Sequence, residues 1–186
     1  MGQIFRPSAN VLAKVGSLSL FYFVLLVFLA LAVFDRSNII RRINVPRNQP
    51  VPFSHQMHAG ILGIDCFYCH TSSETSMYAG MPTVENCMNC HNELQGGLWL
   101  EWLTDMYENN EPIKWNRVAD MPDFVYFNHG IHVRGRGLDC SRCHGVVEEM
   151  TITSKAKSLT MAFCLDECHR TEWNIEQLTN CSVCHR

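Results

Sequence analysis

The chain has 186 residues, of which 47% are hydrophobic and 18% are charged, and its formal net charge is −3. These values exclude a disordered chain, and the slightly acidic balance gives no reason to expect a nucleic-acid-binding surface. Ten cysteines and nine histidines are unusual for this length. Their placement along the chain therefore decides which kind of site they form.

An uncharged, apolar segment of twenty residues lies between Lys14 and Asp35. About 20 apolar residues are enough to cross a bilayer as a helix. The segment predicts an N-terminal transmembrane anchor over residues 1–36, crossing the bilayer once. A cleaved signal peptide that ends near the small residues of Ala30-Leu31-Ala32 is the alternative, and we expect a retained anchor.

A linker is predicted over residues 37–52. Its three prolines, Pro46, Pro50 and Pro52, oppose a helix and favour an extended stretch.

Every cysteine belongs to a pair that is followed directly by a histidine. C-x-x-C-H is typical of covalent haem c attachment, in which each thiol adds to one haem vinyl group and the histidine binds the iron. Four pairs have two intervening residues, whereas Cys164 and Cys168 have three, a less common form. In chain order, the first to fifth sites are Cys66/Cys69/His70, Cys87/Cys90/His91, Cys140/Cys143/His144, Cys164/Cys168/His169 and Cys181/Cys184/His185. The pattern predicts five covalently bound haem c groups.

Zinc ribbons, iron–sulfur clusters and disulfides are the competing interpretations of paired cysteines. Zinc ribbons need no histidine after each C-x-x-C pair, and clusters need four thiolates brought together. A disulfide framework does not explain the histidines either. The histidine after all five pairs favours haem attachment.

The basic residues that flank the apolar segment do not define its topology. Arg6 and Lys14 precede the segment, and four arginines follow it: Arg36, Arg41, Arg42 and Arg47. Counting positive charges would place the following residues in the cytoplasm. Because haem is attached to exported chains, we expect instead a single-pass protein of the bacterial cytoplasmic membrane with its haem domain on the periplasmic or external side.

An internal repeat begins after the linker. A shift of 74 residues lays VPFSHQMHAGILGIDCFYCH, residues 51–70, on VYFNHGIHVRGRGLDCSRCH, residues 125–144. The shift matches His55 with His129 and His58 with His132. Two histidines three residues apart can point towards two different irons as distal ligands. Surface or core histidines, and a zinc site, are the alternatives.

The pattern F-x-H-x-x-H-x(7)-C-x-x-C-H resembles the multihaem class III cytochromes c, the c3 and c7 group. In that family the first histidine of the pair binds the haem of the next motif, and the second binds a neighbouring haem. The resemblance implies that His55 serves the first site and His129 the third. It also implies that His58 and His132 cross to other haems.

Nearly the whole chain resembles a narrower family, the membrane-anchored pentahaem cytochrome subunits of bacterial alternative complex III. The single N-terminal helix, the five sites and the stretch PDFVYFNHGIHV after KWNRV carry this resemblance. It implies an electron-transfer subunit, with an iron–sulfur subunit, polytopic quinol-binding subunits and another cytochrome c subunit as partners in the bilayer. A soluble cytochrome c, a blue copper protein or an oxidase would be the acceptor.

The resemblance implies that the chain conducts electrons and is not an enzyme by itself. Its one membrane helix carries no acid or histidine that could take a proton from quinol, which agrees with that role. Two alternatives remain open. One is a multihaem enzyme with one open haem, of the nitrite or hydroxylamine type. The other is a small membrane-anchored quinol dehydrogenase cytochrome.

Ligand counting leaves one haem without a distal histidine. Five of the nine histidines are proximal, so four remain for five irons. Methionine is a natural substitute and raises the potential. Thr160-Met161-Ala162-Phe163-Cys164 resembles the family's T-M-G-aromatic-C pattern, with Ala162 in place of glycine, so Met161 is predicted and Met81 is next. A lysine or terminal amine, or an open position, would also satisfy the count.

The fold expected for residues 53–186 is a haem-cored domain. About 30 residues per haem are too few to build an independent apolar core. We predict a multihaem cytochrome c fold of short helices and irregular loops with little or no sheet. The stretch WLEWLTDMY is amphipathic and predicts one of the short helices.

Overall fold

The structure is a computed structural model that describes residues 6–94 and 97–185, without the side chains of Pro7 and Trp99. The ends of the predicted anchor and haem domain, at residues 1–5 and 186, and positions 95–96 lie outside the described residues. The chain divides into two compact units, Met1–Arg42 and Ile43–Arg186. The division falls inside the predicted linker, 37–52.

The first unit is dominated by helix α1, Pro7–Asp35, which is 29 residues long and begins with a proline at a position where no backbone donor is needed. Its apolar window has a mean hydropathy of 2.6 and is not buried by other parts of the protein. By length and composition this helix can cross a membrane, as predicted.

A short helix, α2, Asn38–Arg41, follows the apolar helix. The Ser37 hydroxyl caps it by accepting a hydrogen bond from the backbone N–H of Ile40 at 3.4 Å, and Arg42 ends it with a φ of 53°. The expected extended linker is therefore wrong over 38–41, because the prolines lie too far downstream to oppose this turn.

From Ile43 to Ser54 the described chain forms no helix. Isolated bridges pair Ile43 with Lys155 and Pro46 with Ser154, and the backbone N–H of Arg47 donates to the Thr153 carbonyl at 3.0 Å. The linker around Pro46 is thus extended, as predicted, and lies along residues 153–155, whereas the chain bends at Pro50 and Val51.

The second unit consists of short helices joined by irregular loops. Its α-helices are α3, Cys66–Cys69; α4, Val84–His91; α5, Leu98–Glu108; α6, Ser141–His144; α7, Met161–Glu167; α8, Ile175–Leu178; and α9, Cys181–Cys184. Two π-helices, π1, Gln56–Ile61, and π2, Ile131–Gly135, and two 3-10 turns, Val147–Glu149 and His169–Thr171, complete it. The described residues form no sheet, which confirms the predicted fold class.

Among the described residues, the buried apolar core lies where α4 packs on α5. The predicted amphipathic helix is α5, and its Leu103 is 1% exposed. Within the described residues, the buried core cluster is Val51, Val84, Met88, Leu103, Met106 and Ile113. Trp115 packs against this cluster, and its indole N–H donates a hydrogen bond to the Pro82 carbonyl at 2.9 Å. The rest of this unit holds few buried apolar side chains, which agrees with a domain that packs around prosthetic groups.

Candidate haem sites

Three attachment motifs lie on single helical turns that begin in the same way. The residue before the first cysteine accepts a hydrogen bond from a backbone N–H of the turn: Asp65 from Phe67 at 2.8 Å, Asp139 from Ser141 at 2.8 Å, and Asn180 from Ser182 at 3.0 Å. In each turn the N–H of the histidine donates to the carbonyl of the first cysteine at 2.9 Å. A capped turn therefore presents both thiols and the imidazole together.

The second and fourth sites lie on longer helices. Thr83 and Asn86 form a capping box at the start of α4, which carries Cys87, Cys90 and His91. At the fourth site α7 ends at Glu167, so Cys168 lies outside the helix with φ −134° and ψ −68°.

The two H-x-x-H segments have nearly the same local geometry. The Phe53 ring lies 4.9 Å from the ring of His55 and 4.5 Å from that of His58, stacked on the latter at 26°. In the second copy, Phe127 lies 4.8 Å from His129 and 4.4 Å from His132, stacked at 23°. Each pair of histidines thus shares one phenylalanine.

Backbone carbonyls define the tautomer of six histidines. A carbonyl only accepts, so an Nδ1 within hydrogen-bond distance of one must carry the proton, which leaves the Nε2 lone pair for a metal. The carbonyls are Ser54 for His58, Gly80 for His70, Met77 for His129, Asn128 for His132, Leu178 for His169 and Phe124 for His185, at 2.7–3.2 Å. Nδ1 of His55 lies 2.9 Å from the Thr153 hydroxyl.

Three pairs of imidazoles face each other at nearly the same separation. Ring centroids are 6.0 Å apart for His58 and His91, 6.4 Å for His129 and His144, and 6.2 Å for His132 and His169. A metal–nitrogen bond of about 2 Å on each side, plus the distance from each nitrogen to its ring centre, gives about 6 Å between two axial imidazoles. The residues present therefore fit an iron between each pair.

His70 and His185, the proximal histidines of the first and fifth sites, have different surroundings. After burial, His70 is the next cause of the lowered pKa of His55. Among the described residues, the ring beside His185 is that of Phe124, 5.8 Å away at 32°. A histidine pair like the three above is thus not found at the fifth site.

Burial favours the neutral form of His55, His91 and His144, the form that a metal ligand needs. It lowers the pKa of His55 to about 4, with smaller effects from His70 and then His58. Burial also lowers the pKa of His91 and of His144, and the next cause is the facing histidine, His58 and His129 respectively.

Burial acts on the thiols in the opposite sense, because it too favours the uncharged form. It raises the pKa of five cysteines: Cys69, Cys87, Cys140, Cys143 and Cys164. All ten thiols lie within the described residues and form no disulfide there.

The two methionines predicted as distal ligands are both exposed, Met161 by 68% and Met81 by 54%. Met161 begins α7, three residues before Cys164 and on the same helix face. After burial, Cys184 of the fifth site is the next cause of the raised pKa of Cys164. Met81 instead lines a cavity of about 370 Å³ beside α4, with Trp115 and Met106.

Sequence reasoning did not identify the groups that orient the imidazoles. The 74-residue shift matches Phe53 with Phe127, and this match was the one sequence signal that both rings contact the histidines. The carbonyls of Gly80, Met77 and Leu178 had no signal, because any residue supplies a carbonyl.

Comparisons with known proteins agree with this geometry. Residues 35–114 match the class III cytochrome C family, and residues 125–186 match cytochrome c7 and related cytochrome c. The chain is 27% identical over 168 residues to the menaquinone reductase multiheme cytochrome c subunit of Nitratidesulfovibrio vulgaris, an alignment covering 75% of this chain and 78% of the relative. Together with the C-x-x-C-H spacing, these matches support class III c3/c7-type multihaem cytochrome c domains with covalently bound haem c and a role in electron transfer.

Proposed function

We propose that this chain carries five haem c groups as the electron-transfer subunit of a membrane complex that oxidises quinol, of the alternative complex III kind. The observation that carries the proposal is the set of three facing imidazole pairs, each joining a residue of an H-x-x-H turn to a proximal histidine. Six-coordinate irons without an open position suit electron transfer rather than substrate chemistry.

The chain's residues hold and insulate the redox groups. Bound haem c supplies a one-electron redox centre at each site. The capped turns present two thiols and an imidazole, and the carbonyls that bind Nδ1 keep each ring in one tautomer and orientation. Side chains held in this way would bind the iron in both oxidation states, which would limit the reorganisation that accompanies electron transfer.

Four distal ligands follow from these contacts under the proposal. His58 serves the second site, His129 the third and His132 the fourth, while His55 beside His70 serves the first. Met161 serves the fifth site, where no facing histidine pair is present among the described residues. His–Met ligation there raises the potential of the fifth site relative to the four bis-histidine sites.

The remaining parts of the proposal concern the complex. Helix α1 crosses the cytoplasmic membrane once, and the haem domain lies on the periplasmic or external side, where haem is attached. The partners are an iron–sulfur subunit, polytopic quinol-binding subunits and a second cytochrome c subunit. Electrons leave towards a soluble cytochrome c, a blue copper protein or an oxidase.

The first test is purification of the membrane complex, with haem counting by pyridine haemochrome spectra and mass spectrometry. We expect five haem c groups on this chain and their reduction by added menaquinol. Fewer than five thioether-linked haems would overturn the haem count. Haems that menaquinol does not reduce would overturn the quinol-oxidising role.

Menaquinone reduction is the second candidate and has the same haem arrangement with electrons flowing in the other direction. The observation that favours it is the similarity to a menaquinone reductase subunit. Reduced complex that passes electrons to menaquinone, but is not reduced by menaquinol, would select this direction.

Met161→His tests the ligand of the fifth site. Near-infrared magnetic circular dichroism of the native protein should show one His–Met charge-transfer band, and the variant should lose it and have a lower potential at one haem. Met81→His is the matched control and should leave the band unchanged. A stoichiometric high-spin EPR signal in the native protein that responds to nitrite or cyanide would favour an open-haem enzyme instead.

A further inference from the structure

We propose that the five attachment sites form one unbranched row in the order second, first, third, fourth, fifth, so that the second and fifth sites are its ends. The order of the sites has a functional consequence only if electrons pass between them, and in this respect it rests on the proposed function. Each step of the row is carried by contacts between residues of neighbouring motifs.

The second site is joined to the first by a crossing histidine and a bond between attachment loops. His58 belongs to the turn that precedes the first site, yet its ring lies 6.0 Å from that of His91 in the second. The Asn89 amide, between the cysteines of the second site, donates to the Tyr68 hydroxyl at 3.1 Å. Tyr68 lies between the cysteines of the first site, so the two loops touch.

The first and third sites are joined by a reciprocal exchange between the two repeats. The Gln56 N–H donates to the Met150 carbonyl at 3.0 Å, and the Gly130 N–H donates to the Ser76 carbonyl at 2.9 Å. These bonds are equivalent, because the 74-residue shift turns Gln56 into Gly130 and Ser76 into Met150. Each π-helix therefore packs on the loop that follows the other repeat's attachment motif.

Side chains at the first and third sites strengthen this contact. Nδ1 of His129, assigned to the third site, donates to the carbonyl of Met77 after the first site at 2.8 Å. The packing is close, since a Cβ at Gly130 would lie 2.8 Å from the Glu74 carbonyl oxygen. After burial, Cys66 of the first site is the next cause of the raised pKa of Cys140 in the third.

The third site is joined to the fourth in the same way as the first to the second. His132 precedes the third site, and its ring lies 6.2 Å from that of His169 in the fourth. Arg142, between the cysteines of the third site, donates to the Glu167 carbonyl in the fourth attachment loop at 2.9 Å. A crossing histidine and a loop contact thus occur together again.

The fourth site contacts the segment that leads to the fifth site. Nδ1 of His169 donates to the Leu178 carbonyl at 3.0 Å, three residues before Cys181. Helix α8, which precedes the fifth site, packs on the 3-10 turn that begins at His169. The fifth site, which has no facing histidine pair among the described residues, therefore continues the row beyond the fourth.

The order defines where redox partners must bind if all five sites are used. A donor or acceptor that exchanges electrons at the second site is separated from the fifth by every other site. One partner therefore docks beside α4, and the other beside α9.

The iron positions in a cryo-EM map of the purified, haem-loaded protein test the order directly. We expect the nearest neighbour of the second iron to be the first, and the nearest neighbour of the fifth to be the fourth. A second iron nearest to the third, fourth or fifth, or a fifth iron lying between two others, would overturn the row. This measurement needs no variant.

Two variants on one turn provide a matched second test by redox titration of the individual haems. His58→Met should shift the potential of the second site and produce a secondary shift at one other, the first. His55→Met should shift the first site and produce secondary shifts at two, the second and third. Two secondary shifts in His58→Met, or one at the fifth site, would contradict the order.

The outcomes separate the order from the proposed function. If the iron map has this order but the complex exchanges no electrons with menaquinol or menaquinone, the row stands and the proposed function fails. If the complex is active and the irons are branched, the row alone fails. If a variant does not load haem, the iron map of the native protein decides.

Discussion

The region where α4 packs on α5 and the two repeats, residues 51–70 and 125–144, are held together by different forces. In the first, apolar side chains are buried against each other, with Leu103 only 1% exposed. In the repeats, capped turns, stacked phenylalanines and hydrogen bonds to Nδ1 position the histidines. Directional contacts fix geometry but add little net stability each, so the repeats depend on what binds between them.

Removal of haem should have the largest effect. It should destabilise the two repeats more than the region where α4 packs on α5. In the full-length chain produced without haem attachment, we expect residues 53–70 and 125–185 to be cleaved first in limited proteolysis. The segment from Val84 to Ile113 should be cleaved later, because its apolar core is made by the chain itself. Mass spectrometry of the fragments measures the order.

The haem-loaded protein is the control for that experiment and should resist cleavage in all three segments. Equal protection of the repeats with and without haem would show that they have sufficient packing of their own. The comparison between the two regions would then be wrong.

Leu103→Ala should be the most costly single substitution in the apolar region. Loss of a fully buried leucine leaves a cavity and costs about 2–5 kcal/mol. Denaturant unfolding followed by tryptophan fluorescence checks this value. Leu62→Ala is a matched control, since Leu62 is 62% exposed, and a similar loss in both variants would argue against a local core.

Two glycines in equivalent turns test whether backbone conformation holds the repeats. Gly63 has a φ of 66° and Gly137 a φ of 64°, and a Cβ at either would meet no atom within 4 Å. Alanine there should cost about 1–2 kcal/mol through the left-handed backbone alone. Gly135→Ala is the control, because Gly135 does not have a positive φ. Thermal unfolding of the haem-loaded variants measures the difference, and equal losses at all three would exclude this cause.

The shared phenylalanines should have the smallest effect on stability but a specific spectroscopic one. Phe53→Leu and Phe127→Leu each remove a ring stacked on a histidine, which costs about 0.5–1.5 kcal/mol. Because each ring touches two histidines, EPR should show changed g values at two haems per variant. Phe124→Leu serves as a control of similar size, and we expect it to affect the fifth site alone.

Local features of the haem sites could be predicted from sequence because they depend on neighbours in the chain. The cysteine spacing defined the attachment turns, and the repeat defined equivalent histidines. The three-residue spacing between Cys164 and Cys168 also marked the fourth site as different, and there the helix ends between the two thiols.

Long-range relations could not be predicted in the same way. The resemblance implied that His58 and His132 cross to other haems, but their partners, His91 and His169, depend on folding of distant segments. The α2 turn was not predicted, because the expected extended linker was based on Pro46, Pro50 and Pro52. The signal for the turn was Ser37, which is a good helix cap. The lack of a facing histidine at the fifth site, among the described residues, was visible only in the folded chain.

The reciprocal bonds between the repeats have a consequence for biogenesis. The Met150 carbonyl that receives the Gln56 N–H lies 94 residues further along the chain. During synthesis from the N-terminus, the first attachment motif therefore emerges long before its packing partner exists. Its thiols remain accessible to the attachment machinery during that interval, and closure of the two repeats on each other must wait for the later part of the chain.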